Sequence, residues 1–240
     1  MSKPLLELHH VTFRLPNQGK TLINHVSLQV ATGDFVIVLG ENGAGKSTLF
    51  KLINQHLLPS QGNLRLNGRD YADYSRKDFR EKVVTLAQDP CQHLCLSMTI
   101  NEHLILHQAK FASEQERLHY LDSFHPRFPQ LLHTPVMDFS GGEKQLFVLA
   151  LALLKKPELL LLDEHTSALD PKMSDRIMQK IKALVAEHQV TCLMITHQLQ
   201  QALDYGDSIL VVRQGQIAAR FGAREKQVLD KAALVAQCYG

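Results

Sequence analysis

The chain has 240 residues, 45% of them hydrophobic and 21% charged, with a formal net charge of +2. That length suits one large domain that buries its own core without disulfides or metals, and the composition is ordinary for a globular protein. The near balance of charge does not point to nucleic acid or a membrane surface as partner. The opening "MSKPLLELHH" lacks the long apolar region of a signal peptide, and no apolar run is long enough for a membrane span. The four cysteines, Cys91, Cys95, Cys192 and Cys238, include no C-x-x-C pair and read as reduced thiols of a cytosolic protein.

In chain order, residues 5–15 and 26–30 alternate in polarity and predict strands. Residues 35–40 (FVIVLG) form a continuous apolar run ending in glycine, as do strands buried on both faces of a parallel sheet. Similar runs fall at 83–87, 159–162, 192–195 and 209–212, with helical patterns at 46–57, 143–155, 172–188 and 198–204. Strands alternating with helices predict a doubly wound α/β core with a mainly parallel sheet. Residues 90–140 break that rhythm with four prolines and helix-like pieces at 99–109 and 113–123, so they predict a small helical insert. The expected organisation is one domain, with an α/β core at 1–89 and 141–240 and a helical subdomain at 90–140. Residues 225–236 predict one short terminal helix, leaving no room for an added regulatory domain.

"GENGAGKST" follows the buried run 35–39 and opens a helical pattern, so Gly40, Gly45, Lys46 and Ser47 satisfy G-x-x-x-x-G-K-[ST] in the context that confirms it. Backbone N–H groups from Gly40 through Asn42, Gly43, Ala44 and Gly45 are suited to wrapping phosphates, with the following helix adding its positive end. Lys46 supplies charge to the β- and γ-phosphates, Ser47 a magnesium ligand and Thr48 a further hydroxyl. "LLLLDE" places Asp163 and Glu164 at the C-terminal end of a buried strand, where ligands bind in open α/β sheets. Asp163 is the candidate for holding magnesium, directly or through water. Glu164, pointing to the other side, suits a base that polarises the attacking water. Asp170-Pro171 read as the cap of the next helix. Gln88 and His197 each end a predicted strand; alone they say little.

"SGGEKQ" (Ser140–Gln145) precedes an apolar helical run. Ser-x-x-Glu is a capping box, which needs no glycines, and each glycine costs about 1 kcal/mol in a helix against alanine. Gly141 and Gly142 make sense if an anion must approach the backbone closely.

Taken together, the phosphate loop, Gln88, "SGGEKQ", "LLLLDE", "SALD" (Ser167–Asp170) and His197 resemble the ABC ATPase family in order and spacing, over nearly the whole chain. The resemblance implies a phosphate-loop NTPase core with antiparallel N-terminal strands and a helical insert. It also implies ATP and Mg2+ as ligands. Gln88 is then the Q-loop glutamine, contacting magnesium with Ser47 and Asp163, and His197 is the switch histidine beside Glu164. Ser140, Gly141 and Gly142 form the signature that meets ATP, and Ser167–Asp170 the D-loop. Adenine falls to Leu15 or, two residues earlier, Phe13. The expected protein is the ATP-hydrolysing subunit of a membrane transporter for solute import, peripheral on the cytoplasmic side. It pairs with a second copy or a paralogous ATPase subunit across two ATP molecules, and it works with permease subunits and, through them, an extracytoplasmic solute-binding protein. The alternatives are a soluble ABC ATPase acting on protein or nucleic acid, and a non-catalytic nucleotide sensor. Four positions depart from the family pattern: Phe139 and Glu143 stand where leucine and glutamine are usual, Leu15 where an aromatic is common, and His165 where proline or alanine is commoner. His165 resembles a trait of bacterial importer ATPases served by solute-binding proteins.

Overall fold

A computed structural model describes residues 4–16, 19–167 and 169–239. Asn17 and Gln18, in the stretch after Leu15, and Ala168, inside Ser167–Asp170, lie outside the described residues, as do residues 1–3 and 240. The strands are β1 (Pro4–Arg14), β2 (Thr21–Ala31), β3 (Phe35–Leu39), β4 (Gln61–Leu66), β5 (Arg69–Asp70), β6 (Val83–Leu86), β7 (Leu159–Asp163), β8 (Thr191–Ile195), β9 (Ser208–Arg213) and β10 (Gln216–Phe221). The helices are α1 (Lys46–Ile53), α2 (Arg76–Lys82), α3 (Ile100–Leu106), α4 (Glu114–Phe124), α5 (Gly141–Leu153), α6 (Pro171–Glu187), α7 (Leu199–Tyr205), α8 (Ala223–Lys226) and α9 (Lys231–Tyr239).

Six strands form one sheet in the order β10-β9-β3-β8-β7-β6, parallel except for β10 at its edge. Because strand side chains alternate, Phe35, Ile37 and Leu39 enter one core cluster with α5, α6 and α7. Val36 and Val38 enter the other, with α1 and the antiparallel sheet β2-β1-β4-β5. Both faces are therefore covered, which is why these strands are apolar at every position. Neighbouring parallel strands end together: β3, β8, β7 and β6 bring Gly40, His197, Glu164 and Gln88 to one edge of the sheet.

Between Gln88 and Ser140 the described residues form α3, α4 and three single 3-10 turns, with no strand. The predicted terminal helix 225–236 is instead two. Asp230 caps α9, its carboxylate accepting from Ala233 N–H at 2.7 Å, so the chain turns between Lys226 and Lys231. Predicted helix 46–57 stops at Ile53 because Gln55 takes φ 59°, and 99–109 stops at Leu106 with Gln108 at φ 53°.

Candidate functional site

β3 delivers the chain into the phosphate loop at full burial, and α1 leaves it at Lys46. Gly40 turns with φ 145°; a Cβ there would stand 2.1 Å from the Val212 carbonyl oxygen, so only glycine fits against β9. The loop is backed by Gly215, whose N–H donates to the Ala44 carbonyl at 2.8 Å. Gly45 precedes α1 without a side-chain cap. Among the described residues the N–H groups of Gly45, Lys46, Ser47 and Thr48 donate to nothing, so four donors stay open at the start of α1, as an anion site requires. Lys46 is 6% exposed, and its ammonium donates to the Gly40 and Glu41 carbonyls at 2.8 Å each. Burial pushes its pKa down, against the pull of Glu164 and Asp163. An ammonium desolvated inside a loop of open N–H groups is what a phosphate site holds ready.

Asp163 ends β7 half-buried. Burial, then the adjacent Glu164 charge, raises its carboxyl above the usual range, with Lys46 acting the other way. The carboxylate pair thus carries more negative charge than one lysine relieves, and a dication beside the Ser47 hydroxyl fits that donor set. Glu164 lies just past the strand at φ 50°, held by its N–H to the Ile195 carbonyl at 3.1 Å. His197, following β8, donates from Nε2 to Glu164 Oε1 at 2.6 Å. Gln88 follows β6 and donates to Ser167 Oγ at 2.9 Å; that hydroxyl in turn donates to the Glu164 carbonyl at 2.9 Å. Gln88, Ser167, Glu164 and His197 are therefore one connected group, with Lys46 and Asp163 close enough to shift each other's charge. Gln88, Glu164 and His197 each follow a predicted strand, while Ser167 enters only through the family resemblance and its link to Gln88 crosses 79 positions.

Ser140 caps α5: its hydroxyl accepts from Glu143 N–H at 3.3 Å, and Glu143 Oε2 accepts from Ser140 N–H at 2.9 Å. Burial alone would raise the Glu143 carboxyl, but the Ser140 bonds and Arg127 outweigh it and hold it below its ordinary value. Arg127 Nη1 lies 2.7 Å from Glu143 Oε1, a partner no sequence pattern announces. Glu143 is thus turned into its own helix. The Gly141 and Gly142 N–H groups donate to nothing among the described residues. The two glycines differ, however. A Cβ on Gly142 would stand 3.3 Å from Met173 Sδ on α6, a packing reason for its absence, while Gly141 is exposed and open. Phe139 fills its core place by stacking on Phe128 at 5.8 Å and meeting Phe147 edge-on.

Of the two adenine candidates, Phe13 is buried opposite Ile23 in the core, and Leu15 stays partly exposed. Sequence reasoning also missed His93. Its Nε2 accepts from Ala87 N–H at 2.9 Å and so fixes the backbone entering Gln88. His165 is wholly buried, and burial drives its pKa from an ordinary 6.5 down to about 4.

The ABC transporter family pattern matches residues 23–167. The tyrosine transport ATP-binding protein of Clostridioides difficile is 32% identical, with 94% of this chain and 95% of that one aligned. The energy-coupling factor transporter ATP-binding protein EcfA1 of Mycoplasmopsis synoviae is 31% identical over 96% of this chain and 87% of its own length. Among solved structures, cbiO1 from Clostridium perfringens, part of the ABC transporter complex cbiONQ, superposes with a TM-score of 0.83 at 25% identity, covering 98% of this chain and 94% of that one. With a phosphate loop, a carboxylate pair, a glutamine and a histidine meeting at one sheet edge, the chain belongs to the ABC transporter family of ATP-binding proteins.

Proposed function

We propose that the chain hydrolyses ATP to power a membrane transporter for solute import, as one half of an ATP-sandwiched pair. The observation that carries the chemistry is the 2.6 Å contact between His197 Nε2 and Glu164 Oε1 at the edge that holds Lys46. Lys46 and the open N–H groups of the loop hold the β- and γ-phosphates. Glu164 accepts the proton of the attacking water, and His197 keeps that carboxylate turned toward it. Ser47, Asp163 and Gln88 would hold Mg2+, which neutralises charge developing on the phosphates. Gln88 is tied to Ser167 here, so it reaches the metal by exchanging that bond. Leu15 supplies an apolar contact to adenine.

Gly141 and Gly142 present unpaired N–H groups, beside the Ser140 hydroxyl, that suit the γ-phosphate of the other chain's ATP, an isologous arrangement that a twofold closes. No helix of the described residues is long and apolar enough to cross a membrane. In this reading other chains supply the permease, and this subunit sits on its cytoplasmic side. A cleft of about 330 Å³ between α2 and β6 on one side and His93 and α5 on the other supports docking there. Its lining includes Arg80 and Lys155 and no carboxylate, with Phe79 and Val148 as apolar floor. A second copy or a paralogous subunit completes the pair, and residues 90–140 form the subdomain that meets the permease. A solute-binding protein delivers cargo on the far side. Glu164→Gln is expected to slow turnover by roughly 100-fold or more and to trap an ATP-bound dimer. Size-exclusion chromatography with ATP reads the outcome: a monomer at every ATP concentration refutes the sandwich.

A further inference from the structure

His165 has no part in the chemistry above, yet it is the residue next to Glu164 and is 0% exposed. Its Nε2 faces the Gln145 carbonyl of α5 at 3.4 Å. A ring nitrogen facing a carbonyl is the one that carries the proton, so His165 donates there. Gln145 lies one turn beyond the Gly141-Gly142 turn of the same helix. The joint is imperfectly satisfied. His165 Nδ1 and Gln145 Oε1 are both buried without a well-formed hydrogen bond, although the Ala87 backbone also acts on the imidazole. Thr166, by contrast, is locked into a buried network with Gln201 and Ser174. The backbone that carries Glu164 is thus tied to Gln201 and Ser174 by two bonds of Thr166 and to α5 by the 3.4 Å bond of His165. Two of the six buried polar atoms without a well-formed hydrogen bond among the described residues belong to this one His165–Gln145 contact, which leaves it room for a second arrangement. Catalytic hydrogen bonds are often long before the ligand arrives.

We propose that His165 is a positioning residue: its bond to the Gln145 carbonyl sets where Glu164 stands according to what the N-terminus of α5 holds. This rests on the reading that Ser140, Gly141 and Gly142 take the γ-phosphate of the partner's ATP. An anion there draws α5 along its axis, the 3.4 Å bond shortens, and the turn carrying Glu164 follows. One chain's ATP thereby readies the other chain's carboxylate, and each site fires only when both are filled.

Two variants test it. His165→Leu fills the cavity without a donor, while His165→Gln keeps an N–H near the position of Nε2. His165→Leu is expected to lower kcat about 10-fold to 100-fold, with KM for ATP held within about twofold, and His165→Gln to recover most of the loss. A wild-type kcat in His165→Leu overturns the proposal, as does a Gln variant no better than Leu, which would mean packing alone. A measurement on the unaltered histidine guards against misfolding. In Glu164→Gln, the slowly exchanging His165 Nε2–H resonance, assigned by its loss in Glu164→Gln with His165→Gln, is expected to move downfield when ATP is added. A resonance that stays put while the dimer forms overturns the link. If Glu164→Gln never pairs under ATP, the sandwich is what fails, and the kinetic arm still decides whether His165 positions Glu164.

Discussion

Lys46 illustrates how a single side chain carries two opposed costs. Its ammonium is desolvated, which disfavours charge, and its only partners are the Gly40 and Glu41 carbonyls and the more distant carboxylates. The folded protein keeps the cation because the loop's carbonyls replace water, and a bound phosphate replaces it better. A charge-assisted hydrogen bond contributes about 1.5–3 kcal/mol. Lys46→Ala should therefore weaken ATP binding by roughly 10-fold to 100-fold. Thermal stability should change little, since the lysine's own burial is unfavourable. Titration with a fluorescent ATP analogue measures this. Affinity equal to wild type would sink the phosphate-loop assignment.

At the scale of the helix, α5 separates fold from function within three residues. The Ser140–Glu143 box orders its first turn, Gly142 lets α6 approach, and Gly141 does neither. A Cβ on Gly141 would meet only Leu169 Cδ2, at an ordinary 3.5 Å. Gly141→Ala should then leave the fold intact or stabilise it by up to about 1 kcal/mol, the helix-propensity difference. It should still lower ATPase activity, because a methyl group crowds the phosphate that the open N–H groups await. Melting temperature and phosphate release, measured side by side, separate the two; equal activity with raised stability would remove Gly141 from the site. The capping box was legible because its spacing is local. So were the buried strands 35–39 and 159–162, whose unbroken apolar character only a sheet covered on both faces explains. The hairpins were less so. β4 and β5 are joined by Asn67-Gly68, and β9 and β10 by Gln214-Gly215, with positive φ at all four residues. These two-residue turns carry the right signal, but β4 opens on the exposed Gln61 and Gly62, and β10 alternates without fully burying any residue. The Arg127–Glu143 and Gln88–Ser167 contacts are long-range, and no local pattern encodes them.

For the molecule as a whole, wholly and partly buried imidazoles contribute to the response to acid. His93, His107, His165 and His188 all have pKa values lowered mainly by burial. Each takes up its proton more readily when unfolded than when folded. The unfolded chain therefore binds more protons as pH falls below 6.5, and stability is lost through the window down to the folded pKa. For His165 that window runs from 6.5 to about 4. One pKa unit is worth 1.36 kcal/mol, so its full share is on the order of 3 kcal/mol. Asp34 and Asp163, raised chiefly by burial, act in the opposite sense: their protons favour the folded state, and that contribution fades as pH rises through their folded pKa. The histidine effect covers the higher part of the range, so the melting temperature should fall steadily from pH 7 toward pH 5. His165→Gln removes one titrating ring while keeping the donor to Gln145, so its melting temperature should depend less on pH between 6.5 and 4 than that of the wild type. Parallel melting curves for the two proteins across that range would show that His165 is hydrated in the folded state and carries no burial penalty.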